Sequence, residues 1–478
     1  RADGEFADSR GLFFGVTRQA LALEAHVGFV EARALEGATD VADPYAEPSA
    51  DAKAEVIQAF VRAQKIARTL DDTEVPAAQL VQIQLALDDL TAVAQAAPNA
   101  VEVQFLRGHL LLRRFFAEPS SQHAAQAYET LAVALDLAQR NPRYRAATLS
   151  HLTALQSAVG NHYRARVYAE ERMDLPFAST EAELAARLAL ARARYHSRSG
   201  GQALVAGLEA LDFARSRPEL GRYVPMAAHA AAIYALARAE HAKAAAMLEE
   251  ALAGLSGDQE QERYAALLGL ASARLGLGRP AECLGALDEL DSLEAPPAPL
   301  DEASAGAFSP RDAALLSLGL RAEAYAQLSD WELAAQAWER RYGALRERLA
   351  TTGLPSDHDE LARTAHHLSV TNAQLGDADA TAQWLERGLT HAKDYLKAAS
   401  VEISTSYLQI VGAWAQWCAA KPCGARLGPI ERELDVALER LAQAPDTRTS
   451  HDRGRLQAAR VALELRKRTH DDAQPTTR

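Results

Sequence analysis

Apolar residues recur along most of this chain three and four positions apart, the spacing that lays them on one face of an α-helix. Two sizes share that face. In LGLRAEAYAQLSDWELAAQAWERRYGAL, from Leu318 to Leu345, small residues (Ala322, Ala334) stand where two antiparallel helices must approach closely. Large ones (Leu318, Tyr325, Trp331, Trp338) fill the space between them. The same arrangement returns in LLGLASARLGLGRPAECLGALDEL and HHLSVTNAQLGDADATAQWLERGL. The pattern predicts a stacked array of helical hairpins.

Aligned on the small positions, hairpins begin near Val101, Ala146, Leu184, Pro225, Tyr264, Leu315 and Ala362. The small residue of the first helix is Gly108, Thr153, Ala191, Ala232, Ala271, Ala322 and Ser369 in turn. In the second helix it is Ala124, Ala165, Ala203, Ala244, Cys283, Ala334 and Thr381. Gly160-Asn161, Gly278-Arg279, Ser329-Asp330 and Gly376-Asp377 mark turns, since Gly admits the positive φ that ends a helix and Asn or Asp caps the next.

Residues 1–50 read as an N-terminal arm, with a helical pattern from about Thr17 to Leu35 and a polar, Pro-bearing linker at Asp40–Asp51. Repeats occupy 51–294 and 312–400. Between them 295–311, which holds APPAPLDEASAGAFSP, cannot continue a helix and reads as a loop or hinge. The shared pattern on its two sides favours a loop within one continuous array. Residues 401–468 form a helical C-terminal cap, where the stripe Ile403, Tyr407, Ile410, Val411, Trp414 and Trp417 would close the last apolar face. The polar tail 469–478 is expected to be disordered.

The stretch Pro98–Gly108, PNAVEVQFLRG, resembles the junction between tetratricopeptide repeats, where a Pro-Asn turn ends one hairpin and a small residue follows eight positions into the next. The intervals here exceed that family's period of about 34 residues and are irregular, which implies extended hairpins. The resemblance implies an all-α, right-handed α-solenoid whose first helices line a concave groove. Carried over by repeat position, the groove residues are Phe105, His109 and Arg113; Arg192, Tyr195 and His196; Met226, His229 and Ile233; then Glu323, Gln327, Arg363, His366 and Gln374. Such a surface of Arg, His and aromatic groups suits an extended peptide or a partner helix, although several of these side chains would equally pack against neighbouring repeats. The family's chaperone-binding members hold a carboxylate with Lys and Asn at two groove positions. Here those positions read Phe105/His109, Ser150/Ala154, Leu188/Arg192 and His229/Ile233, which argues against that clamp.

Composition narrows the function classes. Hydrophobic residues are 48% but aromatic ones only 6%, so the apolar content is mostly Ala and Leu, both strong helix formers. The net charge of -13, from 64 acidic and 51 basic residues, argues against general affinity for nucleic acid or anionic lipid. No apolar run approaches the roughly 20 residues needed to span a bilayer, so direct membrane insertion is not expected. The chain begins with Arg1 rather than Met, which implies an upstream piece: a tag, a trimmed region or a cleaved signal peptide.

Catalytic chemistry is sparse. There is no phosphate loop, zinc-protease helix or nucleophile elbow. His358, His366 and His367 lie near Asp357, Asp359 and Glu360, but His358 and His366 are two turns apart, and Ser356 with Asp359 resembles a helix N-cap instead of a metal site. Acid pairs such as Asp71-Asp72, Asp88-Asp89 and Glu249-Glu250 suit solvated helix faces. Of three cysteines, Cys283 occupies a small-residue slot, while Cys418 and Cys423 could bridge locally across a Lys-Pro turn or remain free thiols. The Cys418–Cys423 pair leans the expectation toward an extracytoplasmic, oxidising compartment over a cytoplasmic one.

The sequence thus points to a non-catalytic interaction scaffold with protein or peptide partners, and to no cofactor or metal. The alternative is a regulatory or sensor repeat region of a larger signalling protein, such as a kinase, protease or transcription regulator. An α-helical enzyme is a remote third.

Overall fold

The computed structural model describes residues 54–69, 77–118, 120–197, 199–255, 259–293, 310–401, 403–421, 423, 426–443 and 450–472. The N-terminal arm, most of the Pro-bearing stretch after 294 and the end of the tail lie outside the described residues. Those residues form nineteen α-helices and no strand.

Two compact units divide the chain: residues up to Leu277 with Gly285–Ala313, and Gly278–Leu284 with Ala314 onward. The first unit contains α1 (Ala54–Thr69), α2 (Ala77–Ala96), α3 (Val101–Ala117), α4 (Ser121–Leu137), α5 (Pro142–Ala158) and α6 (His162–Met173). It continues with α7 (Thr180–His196), α8 (Gly200–Arg215), α9 (Val224–Leu236), α10 (His241–Gly254) and α11 (Glu260–Gly276). Helix α12 (Pro280–Ser292) follows. The second unit holds α13 (Pro310–Gln327, from Ala314), α14 (Trp331–Thr352), α15 (Pro355–Gln374), α16 (Ala378–Ala398), α17 (Thr405–Ala420), α18 (Leu427–Gln443) and α19 (Ser450–Asp472).

In the first unit each helix packs on the next in sequence from α1 to α11, and α3, α5, α7, α9 and α11 also touch one another in succession. First helices therefore form an inner layer and second helices an outer one. This is an α-solenoid of tetratricopeptide-like hairpins.

The small residues make it possible. Thr153, Ala191, Ala232, Ala271, Ala322 and Ser369, and Ala165, Ala203, Ala244, Cys283, Ala334 and Thr381, are all buried. Where the slot is polar, the hydroxyl returns to its own helix: Thr153 donates to Leu149 O at 2.8 Å, Ser369 to His366 O at 2.6 Å and Thr381 to Asp377 O at 2.6 Å. Ala124 departs from the series. It is only half-buried, and Ala127, one turn later, takes the closed position. At Gly108 a Cβ would sit 2.6 Å from Leu131 Cδ2 and 2.8 Å from its Cγ, so only Gly lets α3 and α4 meet this closely.

The turns follow the sequence reading. Gly160, Gly278, Ser329 and Gly376 all have φ between 62° and 80°. Asn161, Asp330 and Asp377 then cap the next helix through Arg164 N, Leu333 N and Ala380 N. Ala239, with φ 56°, makes the same turn between α9 and α10 without the glycine that would have announced it. Helix α3 starts at Val101 and α9 within one residue of Pro225, as the alignment reads, but several other starts lie upstream of it. Asn141 caps α5 before Pro142, Ser179 caps α7, and Pro355 opens α15 seven residues before Ala362. The expected N-cap at Ser356 is therefore not formed. The N-cap is Leu354, which makes no side-chain bond, because Pro355 already occupies the first helical position.

The aromatic stripe closes the second unit. Tyr407, Ile410, Val411 and Trp414 on α17 are buried, with Ile403 and Trp417 packed beside them. Ile430, Leu434, Ala437 and Leu441 of α18 and Leu456, Ala459 and Leu463 of α19 complete this core. Cys418 and Cys423 are joined by a disulfide, with their Cα atoms 5.3 Å apart. Helix α19 runs on to Asp472, past the expected start of the tail. Among the described residues no helix is long and apolar enough to cross a membrane.

Replacing Gly108 with Ala tests the close approach. Overpacking against Leu131 costs about 1–3 kcal/mol and helix propensity returns about 1. A net loss of about 1 kcal/mol should lower the urea midpoint of the first unit, and a neutral or stabilising result would show that Leu131 moves freely.

Candidate functional site

The inner layer of the first unit gathers most of the groove candidates, because helical spacing stacks them. Phe105, His109 and Arg113 are four apart on α3, and Tyr144 and His151 are seven apart on the neighbouring α5. The Phe105 ring lies 5.5 Å from Tyr144 and 5.2 Å from His151, centroid to centroid. His109 Nδ1 and His151 Nε2 share a hydrogen bond at 3.0 Å. Further along, His196 on α7 stacks on His162 of α6 at 4.4 Å, and Tyr195 packs against Tyr234 of α9 at 5.4 Å. His229 on α9 has an Nε2 with no hydrogen-bond partner among the described residues.

Most of these side chains pack against neighbouring helices, the alternative that the sequence left open. Phe105, His109, Arg113, Arg192, Tyr195, His229 and Ile233 are each at most 8% exposed, and His196 and Met226 are half-buried. The inner helices are covered almost all round; α9 buries every residue from Ala227 to Leu236.

Burial sets the electrostatics. It is the main cause lowering the pKa of His109 well below its ordinary value, reinforced by His151 and Arg113. His151 falls to about 4 through burial and then Arg113. His196 falls to about 3 through burial, His162 and Arg192, and His162 is lowered by burial and Arg192. Burial takes His229 to about 4 against an opposing bond to the Ala265 backbone. At neutral pH the layer is therefore a set of neutral imidazoles and aromatic rings set beside two guanidinium groups.

The remaining candidates lie elsewhere. Glu323 is half-buried and Gln327 exposed on α13. Arg363 pairs on its own helix with Glu360 at 2.6 Å and Asp359 at 3.2 Å, so local ion pairs already engage it. His366 is half-buried with its pKa lowered to about 4 by burial and then Arg455, and its ring lies edge-on to His367 at 5.9 Å. The acids near it are structural. Asp357 is buried against Arg348 at 2.7 Å and Thr352 at 2.9 Å, Arg341 meets Glu360 at 2.6 Å, and Asp359 accepts from Ser406 of α17. Burial pushes Glu360 up, but Arg341, Arg363 and Arg348 together outweigh it and leave the carboxyl lowered.

Tyr144, His151, His162 and Tyr234 were absent from the sequence-based set. They face neighbouring helices instead of following the repeat positions. Only the seven-residue spacing of Tyr144 and His151, one face of a helix, hinted at a shared stripe. A cavity of about 10 Å³, lined by Ser150, Thr153, Ala169, Arg172, Ala182 and neighbouring alanines, has room for about one water.

No family model matches the chain, and no curated protein does. Among solved structures it is similar to the apo form of RapI, at 12% identity over 62% of this chain and 99% of that one, with a TM-score of 0.43. It is also similar to NprR in complex with its cognate peptide NprX, at 11% identity over 76% and 99%, TM-score 0.40. A Rap protein complexed with competence and sporulation factor matches at 13% identity over 80% and 99%, TM-score 0.38. The fold assignment rests on the hairpin packing above.

The imidazoles make the first unit acid-sensitive. Their folded pKa values lie below the unfolded value of about 6.5, so the unfolded chain binds more protons as pH falls through that range. Stability should be full above about pH 6.5 and decline toward pH 4, with His151 alone worth up to about 3 kcal/mol. His151→Gln should flatten that slope in melting curves taken between pH 7.5 and 4.5. An unchanged slope would place the proton uptake elsewhere.

Proposed function

We propose that this chain is a non-catalytic interaction scaffold that holds an extended peptide or protein segment along the inner helices of its first unit. One observation carries the reading. The inner helices stack Arg, imidazole and aromatic side chains where aliphatic ones would pack at lower desolvation cost. Burial and then a neighbouring imidazole lower the pKa of His109 and His196, and Arg113 and Arg192 respectively add to that lowering. Guanidinium groups that exchange their present contacts for a carboxylate, beside neutral imidazoles and rings, suit a segment carrying a carboxylate and an aromatic anchor. The unpartnered Nε2 of His229 offers a further contact for a peptide backbone.

Burial adds a condition. A segment reaches these side chains only by displacing contacts they make in the structure, so part of its binding energy goes into that rearrangement. The hairpins that open for it are expected to lose and then regain hydrogen-exchange protection as the segment binds.

Display of random peptides against the whole chain tests this. The expected outcome is a consensus with acidic and aromatic positions, bound roughly 10-fold or more weakly by Arg113→Met/Arg192→Met of unchanged helicity. Equal binding by the double variant would move the interface away from the inner layer, and no enrichment would remove the scaffold reading.

We further propose that the protein works in an oxidising, extracytoplasmic compartment. The Cys418–Cys423 bridge supports an extracytoplasmic setting, where such bonds persist. Natively isolated protein should resist thiol labelling at both positions until reduced, whereas free labelling would withdraw that support.

A further inference from the structure

Helices α15 and α16 form a closely packed hairpin in the second unit, with α14 packed on α15. That hairpin brings together His358 of α15 with His391 and Asp394 of α16, separated by 33 and 36 residues in sequence and so invisible as a motif. His358 Nδ1 and His391 Nδ1 are 3.2 Å apart. One ligand atom from each of the three residues lies within 4.8 Å of the others. Both imidazoles are half-buried and Asp394 is exposed, so the cluster is reachable from solvent.

The spacing has a chemical meaning. Two nitrogens bound to one tetrahedral zinc at about 2.05 Å stand about 3.3 Å apart. His391 and Asp394 sit three residues apart on one helix, which turns both toward the same point. The far side of the His391 ring is also held: its Nε2 lies 2.9 Å from the Tyr342 hydroxyl on α14. With the Nδ1 lone pair directed at an ion, Nε2–H donates to that hydroxyl, the outer-shell bond that orients metal-bound imidazoles. The nearby Arg346 guanidinium, whose charge bears on both His391 and Tyr342, works against a cation, and the Asp394 carboxylate works for it.

We propose that His358, His391 and Asp394 form a divalent transition-metal site of the zinc class, with Tyr342 as its positioning residue and the fourth coordination position left to water or an external ligand. Two neutral imidazoles and one carboxylate suit zinc, cobalt or nickel better than calcium or magnesium, which take oxygen ligands. The ion would tie α15 to α16 and, through Tyr342, to α14. The site is independent of the peptide-binding reading, which concerns the first unit.

Titration of the whole metal-free chain with zinc, followed by calorimetry, tests this together with cobalt(II) visible absorption. The expected result is one site per chain, cobalt absorption of tetrahedral intensity and a raised melting temperature. His391→Gln and His358→Gln should each abolish the cobalt band at unchanged helicity, while His123→Gln in the first unit leaves it intact. Tyr342→Phe should weaken binding about 10- to 100-fold. Arg346→Gln should tighten it, a gain that misfolding cannot imitate. Absence of stoichiometric binding, or a band that survives both histidine substitutions, would overturn the site, and so would an Arg346→Gln chain that binds no more tightly.

Discussion

The close approach of paired helices is the constraint on which the rest of this molecule depends. Gly108 sets it most sharply, since a single added carbon would stand inside the Leu131 side chain. Elsewhere buried Ala, Thr, Ser and Cys give the same clearance. Once the helices of a hairpin are this close, the next hairpin can reach across to the previous inner helix, as α5 does to α3 and α9 to α7. The inner helices are then enclosed on nearly every side. Any polar group placed on them becomes a buried group, with its hydration lost.

That consequence explains the chemistry of the first unit. An imidazole in water is half protonated near pH 6.5, but in the inner layer desolvation alone removes its charge. His109 and His151 use their neutral state to bond each other, one ring donating and the other accepting. Such a pair needs no carboxylate. Arg113 and Arg192 are buried in the same layer. In the second unit acids stand directly beside the arginines. There Arg341, Arg348 and Arg363 are each matched to Glu360, Asp357 or Asp359 within a few ångströms, so the charges cancel locally. The second network locks α14 to α15, and the Asp359–Ser406 contact extends it to α17. It has little charge left over for a partner.

How much of this was legible follows from the range of each signal. Small residues, turn glycines and caps act within one hairpin, so Gly160-Asn161 and Gly376-Asp377 could be read directly and the structure forms both turns. The start at Val101 was read directly, but those of α5, α7 and α15 were read late because the alignment followed small residues, whereas Asn141, Ser179 and Pro355 set them about a turn or more earlier. Residue types on the inner helices were legible too: Phe105, His109, Arg192 and Tyr195 do share one layer. Their exposure was not, because it depends on how closely successive hairpins stack. Partnerships between helices lay furthest from reach. Nothing in the chain links His109 with His151, or His358 with His391, until two helices are folded side by side.

The two histidine pairs show how depth decides what the same contact can become. His109 and His151 are buried with an arginine for a neighbour, so proton uptake costs stability and a metal ion would meet both the desolvation and the charge of Arg113. Their bond is complete as it stands. His358 and His391 meet at nearly the same distance but at the rim, with a carboxylate at hand and a tyrosine fixing one ring from behind. Here a cation can arrive hydrated, shed part of its water to three ligands and keep the rest. Identical residue types at similar separations thus serve packing in one unit and stand ready for coordination in the other, and the difference lies in the groups that surround them.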